Sequence, residues 1–506
     1  MANAPSTYEN IQEVPLATKF NYRRNSIQQD SYVKNGFLEQ ESEGHYAVKR
    51  PGLRTLIDFT TQTGYSPPLG VPLASYGYQG GFTPQEGVIN FVIAGRCFNI
   101  AETYGTINVL SEVAAPAIPL TTLLRGAYNA GHVYWQGAAA IYQINPAAII
   151  ASPSGQALVP SLCELDRTFY IMDLNGIIWG SAIGDASTWP ALNTVNAFPA
   201  GDAVVLFKHL QYLLAFSTYG MKAYYDAGIS PGAPIAQETS VVSAIGVPWA
   251  GSQTVQHLND ITYWLGSSTE DGYGVYQLAG LQLTKISTPE INRFITDNFT
   301  AYIELFGRTT PGTDLGGLRA MTVQAGGHSF YVLTCPSRTF SGYHPGSTLV
   351  YDITTQIWYL WSQLTGGLEA ELLTVANLGN AGTGPNFMPG FNNGQVYSLD
   401  TTYYLDATQS ITFEVQTALF SWGNQRTKFI PATYVASDTL NSSFNLSWTD
   451  DDYTTFSTPQ AISSAKPKKQ LIRCGSTIER AWKLTHTDNA PMRFFNLEVE
   501  VVPGAL

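Results

Sequence analysis

The chain of 506 residues carries a formal net charge of −12, from 26 Lys plus Arg and 38 Asp plus Glu, and only 13 % of its residues are charged. Because affinity for phosphates comes from clustered Lys and Arg, this composition argues against tight nucleic-acid binding, although it allows a passive conduit through which DNA slides. Apolar residues make up 44 % and aromatic residues 12 %, which indicates a charge-poor surface suited to large protein contacts.

The N-terminal segment MANAPSTYENIQEV has neither the basic stretch nor the apolar core of a signal peptide. No run of the sequence reaches the roughly 20 apolar residues of a membrane-spanning helix. The four cysteines lie far apart and lack metal-binding spacing, so we predict free, mostly buried thiols: Cys97, Cys163, Cys335 and Cys474. We therefore expect folding in a reducing cytoplasm, without a cofactor or a metal.

After an N-terminal arm of residues 1–20, residues 21–421 alternate short runs of Tyr, Phe, Val, Ile and Thr with Gly, Pro, Asn and Asp turns, the pattern of β-strands. A unit recurs in which an aromatic strand, a polar turn and a second aromatic strand follow one another. Its equivalent tyrosines are Tyr134, Tyr170, Tyr212, Tyr263, Tyr331 and Tyr397, at intervals of 36, 42, 51, 68 and 66 residues.

The shorter intervals match the roughly 40 to 50 residues of a four-stranded propeller blade, and the longer ones require inserted loops. The fold class is therefore predicted to be all-β, with a β-propeller of six or seven blades over residues 21–421. Segments that begin at Glu43 and Val88 are assigned to a first blade. A single blade cannot cover both of its faces, so several must stack around an axis.

One helix interrupts the strand pattern near residues 288–300. Ser287 or Thr288 can cap its N-terminus, Pro289 suits the first helical position, and apolar side chains follow at helical spacing from Ile291. The pattern predicts a surface helix of about three turns.

After about Trp422 the strands become longer. The segment that begins at Met492 alternates apolar with polar side chains, which is typical of a strand with one buried face. Residues 422–506 are therefore predicted to form a separate C-terminal domain resembling a β-sandwich.

Four segments, in the same order along the chain, resemble the packaged-DNA stabilisation or tail nozzle (tail hub) proteins of short-tailed bacteriophages. They run from Leu165 to Asn193, from Lys222 to Ala236, from Val275 to Ile291 and from Glu479 to Arg493. The resemblance spans roughly two-thirds of the chain, and four collinear motifs are far more specific than one.

The resemblance implies a propeller with an attached β domain in a virion tail, assembled in the host cytoplasm as a ring, a hexamer in that family. It implies an adaptor ring above, tail fibre, spike or needle proteins as further partners, and passive contact with DNA in the channel. The leading hypothesis is a structural nozzle subunit that retains packaged DNA until ejection. No catalytic, cofactor-binding or metal-binding residue is implied.

The segment from Ser181 to Trp189 is similar to the Asp-box turn of sialidase propellers, which is structural even in sialidases. We predict that Asp185 accepts backbone N–H bonds within its own turn and that Trp189 belongs to the core. Glycoside cleavage requires two carboxylates roughly 5 to 10 Å apart in a cleft. Glu270 and Asp271 are adjacent in a loop and predict a solvated acidic turn instead.

The run from Asp450 through Asp451 to Asp452 is rich in oxygen ligands, but calcium-loop spacing does not follow, so a hairpin turn with repelling charges is predicted. The seven histidines show no metal-binding spacing, and several enter a strand at the same place in the repeat, which indicates a structural role: His45, His132, His209, His257, His328, His344 and His486.

Basic residues are scattered except around Lys466, Lys468 and Lys469. A basic and aromatic cluster in the last family-like motif is read as fold support, with a subunit contact as the alternative, and consists of Arg480, Trp482, Lys483, His486 and Arg493. On an alternating strand, Arg480 and Trp482 share one face and Lys483 takes the other.

A carbohydrate-binding or sialidase-like propeller that recognises host surface glycan is the alternative function. A polysaccharide depolymerase would require a carboxylate pair, and the sequence offers no convincing one. We therefore predict that the protein is not an enzyme.

Overall fold

The computed structural model describes residues 11–16, 31–41, 44–59, 77–85, 88–103, 106–120, 122–129, 131–229, 232–306, 317–339, 343–344, 346–365, 368–374, 376–378, 387–390, 393–466 and 469–503. This part of the chain consists mainly of antiparallel β-strands with one α-helix. No helix within it is both long enough and apolar enough to cross a membrane.

Five consecutive sheets each contain four antiparallel strands in chain order, the arrangement of propeller blades. Blade 1 comprises Tyr78–Gln85, Val88–Ile93, Arg96–Thr103 and Thr106–Val113. Blade 2 comprises Arg125–Asn129, His132–Gln136, Ala140–Ile144 and Ala148–Ala151. Blade 3 comprises Cys163–Leu165, Thr168–Met172, Ile177–Gly180 and Thr194–Asn196. Blade 4 comprises Ala203–His209, Tyr212–Ser217, Gly220–Asp226 and Ile235–Ser243, and blade 5 comprises Gln256–Leu258, Ile261–Ser268, Gly272–Ala279 and Gln282–Lys285.

Two further sheets complete the propeller, and an N-terminal strand pairs within each sheet. Blade 6 comprises Arg319–Ala325, His328–Cys335, Ser347–Asp352 and Ile357–Trp361. Blade 7 comprises Met388–Pro389, Gln395–Asp400 and the N-terminal strand Gly52–Asp58, with Leu405–Asp406 and Gln409–Ser410 at its edge. Gly52–Asp58 pairs antiparallel with Gln395–Asp400, so a strand from the start of the chain completes the last blade.

Apolar clusters lie between each blade and the next all the way around the ring. Val396 and Ile57 of blade 7 pack in one cluster with Phe91 of blade 1. Met388 of blade 7 packs in another with Val332 of blade 6. Five further clusters join blades 1 to 2, 2 to 3, 3 to 4, 4 to 5 and 5 to 6. The fold is therefore a propeller of seven blades, within the predicted range of six or seven.

The tyrosines that define the sequence repeat all lie on the second strand of a blade, from blade 2 to blade 7. Tyr134, Tyr170, Tyr263, Tyr331 and Tyr397 are buried. Tyr212 is half-buried because it is the first residue of its strand and stands at the turn. The segment at Val88 belongs to blade 1 as predicted, where it forms the second strand and part of the third. The assignment of the segment at Glu43 to that blade is wrong, because the strand Gly44–Lys49 joins a different sheet.

A β-sandwich adjoins the propeller and uses strands from both ends of the chain. One sheet contains Ile11–Val14, Gly36–Glu41, Gly44–Lys49, Ala432–Ser437, Gln470–Ile472 and Arg493–Glu500. The other continues blade 6 through Tyr32–Lys34, Phe413–Gln416, Ala481–His486, Ser443–Thr449 and Gln460–Ser463. Phe494 of the first sheet stacks on Phe413 of the second at 5.4 Å. Strand pairing thus crosses the predicted boundary at 421/422, and Ile11–Val14 of the predicted N-terminal arm pairs with Arg493–Glu500.

The helix spans Pro289–Phe306, which extends the predicted three turns toward the C-terminus. Ile291, Phe294, Ile295 and Phe299 are buried between blades 5 and 6, so the helix covers their junction. The smaller elements are the 3-10 turn Trp249–Gly251, the strand pairs Arg338–Thr339 with Tyr343–His344 and Gln363–Thr365 with Leu368–Ala370, and the sheet of Lys428–Phe429, Ser476–Thr477 and Val502–Pro503.

Candidate functional site

One face of the propeller is built from the turns that follow the first and third strands of each blade. Because neighbouring strands run in opposite directions, these turns share one edge of every sheet. We call this the odd-turn face. Within blade 3 the N–H of Gly184 donates to the carbonyl of Arg167 at 2.7 Å, and Asn129 of blade 2 donates to the same carbonyl at 2.9 Å. The side chain of His209 in blade 4 bonds the carbonyl of Gly280 in blade 5 at 2.8 Å.

Histidines of the repeat join neighbouring turns and strands on this face. His209 Nδ1 lies 2.8 Å from the hydroxyl of Thr262, and His257 Nδ1 lies 3.2 Å from the same oxygen. Burial lowers the pKa of both rings. His328 bonds Asp352 at 2.7 Å, which raises the pKa of His328. The predicted structural role is confirmed for these three rings; the side chain of His344 lies outside the described residues.

The loop that resembles an Asp box is ordered by its own hydrogen bonds. Asp185 accepts bonds from the backbone N–H of Ser187 at 2.8 Å and from its hydroxyl at 2.6 Å, which lower the pKa of Asp185. The predicted turn role of Asp185 is confirmed. The indole N–H of Trp189 donates to the carbonyl of Ala186 at 2.8 Å, but Trp189 is half-buried, so its assignment to the core is only partly correct.

The other acidic candidates belong to turns and ion pairs. Glu270 and Asp271 are exposed as predicted, and Asp271 lies 3.7 Å from the ammonium of Lys285. Asp450 accepts two bonds from Arg480, at 2.6 and 2.7 Å. Asp451 caps its own turn, and its bonds from Thr455 and Thr449 lower its pKa to about 2. Among the described residues, no group of three or more His, Cys, Asp and Glu is placed to hold a metal ion.

A serine and a histidine meet in the sandwich in a way that sequence reasoning missed. Ser442 Oγ lies 2.8 Å from His486 Nε2 and donates to Asp488 at 2.8 Å. In a hydrolytic triad a carboxylate orients the other ring nitrogen. Here that nitrogen faces the ammonium of Lys49 at 3.4 Å. Burial and this cation lower the pKa of His486 to about 4, so the ring is a poor general base.

The remaining C-terminal basic and aromatic residues support the fold. Trp482 is fully buried, the Arg480 guanidinium lies over the ring of Trp448 at 5.0 Å, and Lys483 lies over Phe456 at 4.2 Å. Arg480 and Trp482 are buried whereas Lys483 is half-buried, as strand alternation predicts. Arg493 forms an ion pair with Asp438 at 2.9 Å.

All four cysteines are free and buried, which confirms the prediction. Burial raises the pKa of Cys97 to about 11 and that of Cys163 to about 12. Thiols that ionise so weakly are poor nucleophiles.

The propeller axis is crossed by side chains from several blades. Arg125 of blade 2 donates to the carbonyl of Ser252, which precedes blade 5, at 3.1 Å. Its guanidinium lies 5.7 Å from the ring of Phe207 in blade 4, and burial lowers its pKa. Burial raises the pKa of Tyr78 in blade 1, and the charges of Arg319 in blade 6 and of Arg125 lower it by a smaller amount. These contacts block the axis for a DNA duplex. The major groove of a duplex alone is about 12 Å wide.

The comparisons with known proteins identify no family. No family model and no curated protein matches the chain. Solved structures with similar folds include the N-terminal domain of Nup159 (10 % identity, 73 % of this chain and 98 % of that chain, TM-score 0.37). They also include BamB from Moraxella catarrhalis (13 % identity, 76 % and 99 %, TM-score 0.33) and an exo-β-1,3-galactanase from Phanerochaete chrysosporium (8 % identity, 69 % and 99 %, TM-score 0.26).

These scores are too low to support an argument about function, so the propeller assignment rests on strand pairing. The fold shows where three of the four segments that carry the sequence resemblance lie. The segments from Leu165, Lys222 and Val275 each include a turn or loop that follows the third strand of blade 3, 4 or 5. Three of the four family-like segments therefore contribute to the odd-turn face.

Proposed function

We propose that the protein is a structural subunit of a short-tailed phage tail, a nozzle subunit that assembles into a ring and closes the channel until the genome is ejected. The observation that carries the proposal is that three of the four collinear segments each include a turn or loop on the odd-turn face, in three consecutive blades. Turns and loops that share one face of a propeller can together form a surface that binds a neighbouring protein.

The crossed propeller axis determines how such a ring would hold DNA. Because Arg125 and Ser252 span the axis, one subunit cannot act as a conduit through its own centre. The channel therefore lies between subunits, around the symmetry axis of the ring. Closure then depends on how the copies meet.

The charge balance fits a channel that does not bind its contents. A net charge of −12 repels phosphate overall, so in this proposal packaged DNA is held by steric closure and not by ion pairing. The most deeply buried cations of the described residues are not available to DNA. They include Lys49, Arg50, Arg319, Lys428 and Arg480.

The experiment compares phage particles assembled with and without this protein. Particles that lack it are expected to lose packaged DNA to added nuclease and to lack density at the distal end of the tail tube in electron micrographs. Adding back the purified protein should restore both properties. Tails that remain intact and retain DNA without the protein would contradict the proposal.

A further inference from the structure

A cavity lies between blade 7 and the segment that joins blade 6 to it, where the propeller departs from its regular pattern. In blades 1 to 5 the fourth strand pairs antiparallel with the third. In blade 7, Leu405–Asp406 instead pairs parallel with Gly52–Asp58, through a single residue pair. The cavity is lined by this edge, by residues of Gln395–Asp400 and by the strand Gln363–Thr365, and its volume is about 250 Å³.

One wall of the cavity carries a directional chain of hydrogen bonds. The side-chain amide of Gln395 donates to the Asp58 carboxylate at 2.9 Å. The Tyr397 hydroxyl donates to the oxygen of that amide at 2.6 Å, and the side-chain amide of Asn393 donates to the Tyr397 oxygen at 2.7 Å. The backbone N–H of Gln395 donates to Asn393 Oδ1 at 3.1 Å. Because each bond orients the next group, the polar wall is ordered before a ligand binds.

This chain of bonds leaves both donors and acceptors for a ligand. Each side-chain amide has two N–H donors and two oxygen lone pairs, and the chain uses one of each in Gln395 and in Asn393. Burial raises the pKa of Tyr397 to about 12, so its hydroxyl stays protonated and keeps the chain intact. A wall that donates and accepts matches ligand hydroxyls, which do both.

Apolar side chains complete the lining of the cavity. Leu364, Leu373 and Ala407 each contribute to it. Ligand pockets commonly combine apolar walls with a few polar groups that fix the orientation of the ligand. The C–H groups of a sugar ring fit the apolar walls, and its hydroxyls fit the polar wall.

The cavity offers no net charge to a ligand. Asp406 is the one charged side chain among the described residues that line it. Both of its oxygens accept bonds from the buried guanidinium of Arg50, at 3.0 and 2.5 Å. An anionic ligand would lose its hydration without gaining a cation, so the site favours a neutral one.

We propose that this cavity binds a neutral sugar ring, either as a free monosaccharide or as the terminal unit of a glycan. Its volume is below the roughly 300 to 1,000 Å³ of pockets for drug-sized ligands, which limits the ligand to about one ring. The amides of Gln395 and Asn393 bond the hydroxyls, and Leu364 and Leu373 contact the ring. This site goes beyond the proposed function and does not depend on it.

Ligand-observed NMR titration of the full chain tests the site with four neutral probes, D-glucose, D-galactose, D-mannose and N-acetyl-D-glucosamine. We expect at least one of them to bind with a Kd on the order of 1 mM. D-Glucuronate and D-galacturonate, which carry a carboxylate on the same rings, should bind at least about tenfold more weakly. The methyl glycoside of the bound sugar separates the two sources. Binding as tight as that of the free sugar indicates a terminal glycan unit, and loss of binding indicates a free monosaccharide.

Two variants remove different parts of the site. Tyr397→Phe keeps the ring but breaks the chain between Gln395 and Asn393, so we expect binding to be about tenfold weaker. Ala407→Leu fills the cavity and keeps every polar group, so it should abolish binding, and it tests the site even if Tyr397→Phe does not fold. Tyr263→Phe, at the equivalent buried position of blade 5, is the matched control and should bind like the wild type. Thermal unfolding shows whether each variant is folded.

Three results would overturn the site. One is the absence of binding by every neutral probe up to about 50 mM. Another is binding of the uronates as tight as that of their neutral counterparts, which would contradict a neutral ligand. The third is a folded Ala407→Leu protein that binds like the wild type, which would place the sugar elsewhere. None of these results bears on DNA retention, so the nozzle proposal is tested separately.

Discussion

At the residue scale, a buried ion pair connects the beginning of the chain to blade 7. Arg50 and Asp406 are both fully buried, and the Arg50 guanidinium contacts both oxygens of Asp406, at 3.0 and 2.5 Å. Arg50 also donates to Asn35 and to the carbonyl of Ser362. The bonds from Arg50 to Asp406 and Ser362 span more than three hundred residues of sequence, so they tie the start of the chain to blade 7 and to the segment that follows blade 6.

We expect Arg50→Met to reduce the free energy of unfolding by about 3 to 5 kcal/mol, because it leaves the Asp406 carboxylate buried without its cation. The double variant with Asp406→Leu should recover part of that loss, since neither charge remains. Denaturant unfolding measures the free energy of unfolding of the single and the double variant. Equal stability of Arg50→Met and wild type would contradict this role.

A second residue-scale prediction concerns acid. In the folded protein His486 has a pKa of about 4, below its usual value of 6.5, so the unfolded chain binds more protons between these values. The stability that neutral His486 provides is complete above pH 6.5 and is lost as pH falls toward 4, by about 3 kcal/mol.

His486→Gln should therefore flatten the pH dependence of unfolding between pH 4 and 6.5. Denaturant unfolding at pH values across this range measures the slope of the free energy of unfolding against pH. The variant His45→Gln, at an exposed position, is the matched control and should keep the wild-type slope. An unchanged slope in His486→Gln would show that His486 does not titrate as the structure implies.

At the scale of elements, the strand Gly52–Asp58 completes the ring, and its first residue, Gly52, has no room for a side chain. A Cβ on Gly52 would lie 2.2 Å from the carbonyl oxygen and 2.6 Å from the nitrogen of Leu405. Both are backbone atoms, so a side chain requires the edge of blade 7 to move.

Gly52→Val should therefore lower the free energy of unfolding by at least about 2 kcal/mol. Arg54→Ala, at an exposed position of the same strand whose ion pair with Asp400 is 3.4 Å long, should cost under about 1 kcal/mol. Thermal unfolding of both variants measures the difference. A Gly52→Val protein as stable as Arg54→Ala would show that the strand is not essential for closure.

The blades could be predicted from sequence because each second strand repeats a local pattern, an aromatic such as Tyr134 or Tyr263 after a polar turn. The closing strand could not, because Gly52–Asp58 pairs with Gln395–Asp400 across more than three hundred residues and carries no repeat. For the same reason the sandwich was predicted as a C-terminal domain, although Gly44–Lys49 supplies one of its strands. Local periodicity does not encode long-range partners.

The candidate sites divide in the same way. The turn role of Asp185 follows from residues within its own loop and was predicted. The contact of Ser442 with His486 was missed because the two residues lie 44 positions apart and share no motif. Lys49, whose cation lowers the pKa of His486, is 437 positions away. The axial contact of Arg125 with Ser252 likewise joins two blades that share no local signal.

At the scale of the whole molecule, seven blades form a closed body whose own axis is crossed by side chains, and a sandwich ties its two ends together. Among the described residues, the contact of Arg125 with Ser252 leaves no channel for DNA along the propeller axis. The proposed nozzle therefore depends on several copies that enclose a channel between them.

Electron cryo-microscopy of complete phage tails tests this account most directly. We expect a ring of copies, six by the family resemblance, at the end of the tail tube, with the channel between subunits and no DNA along any propeller axis. Tails without this chain, or with isolated copies that do not surround the channel, would contradict the account.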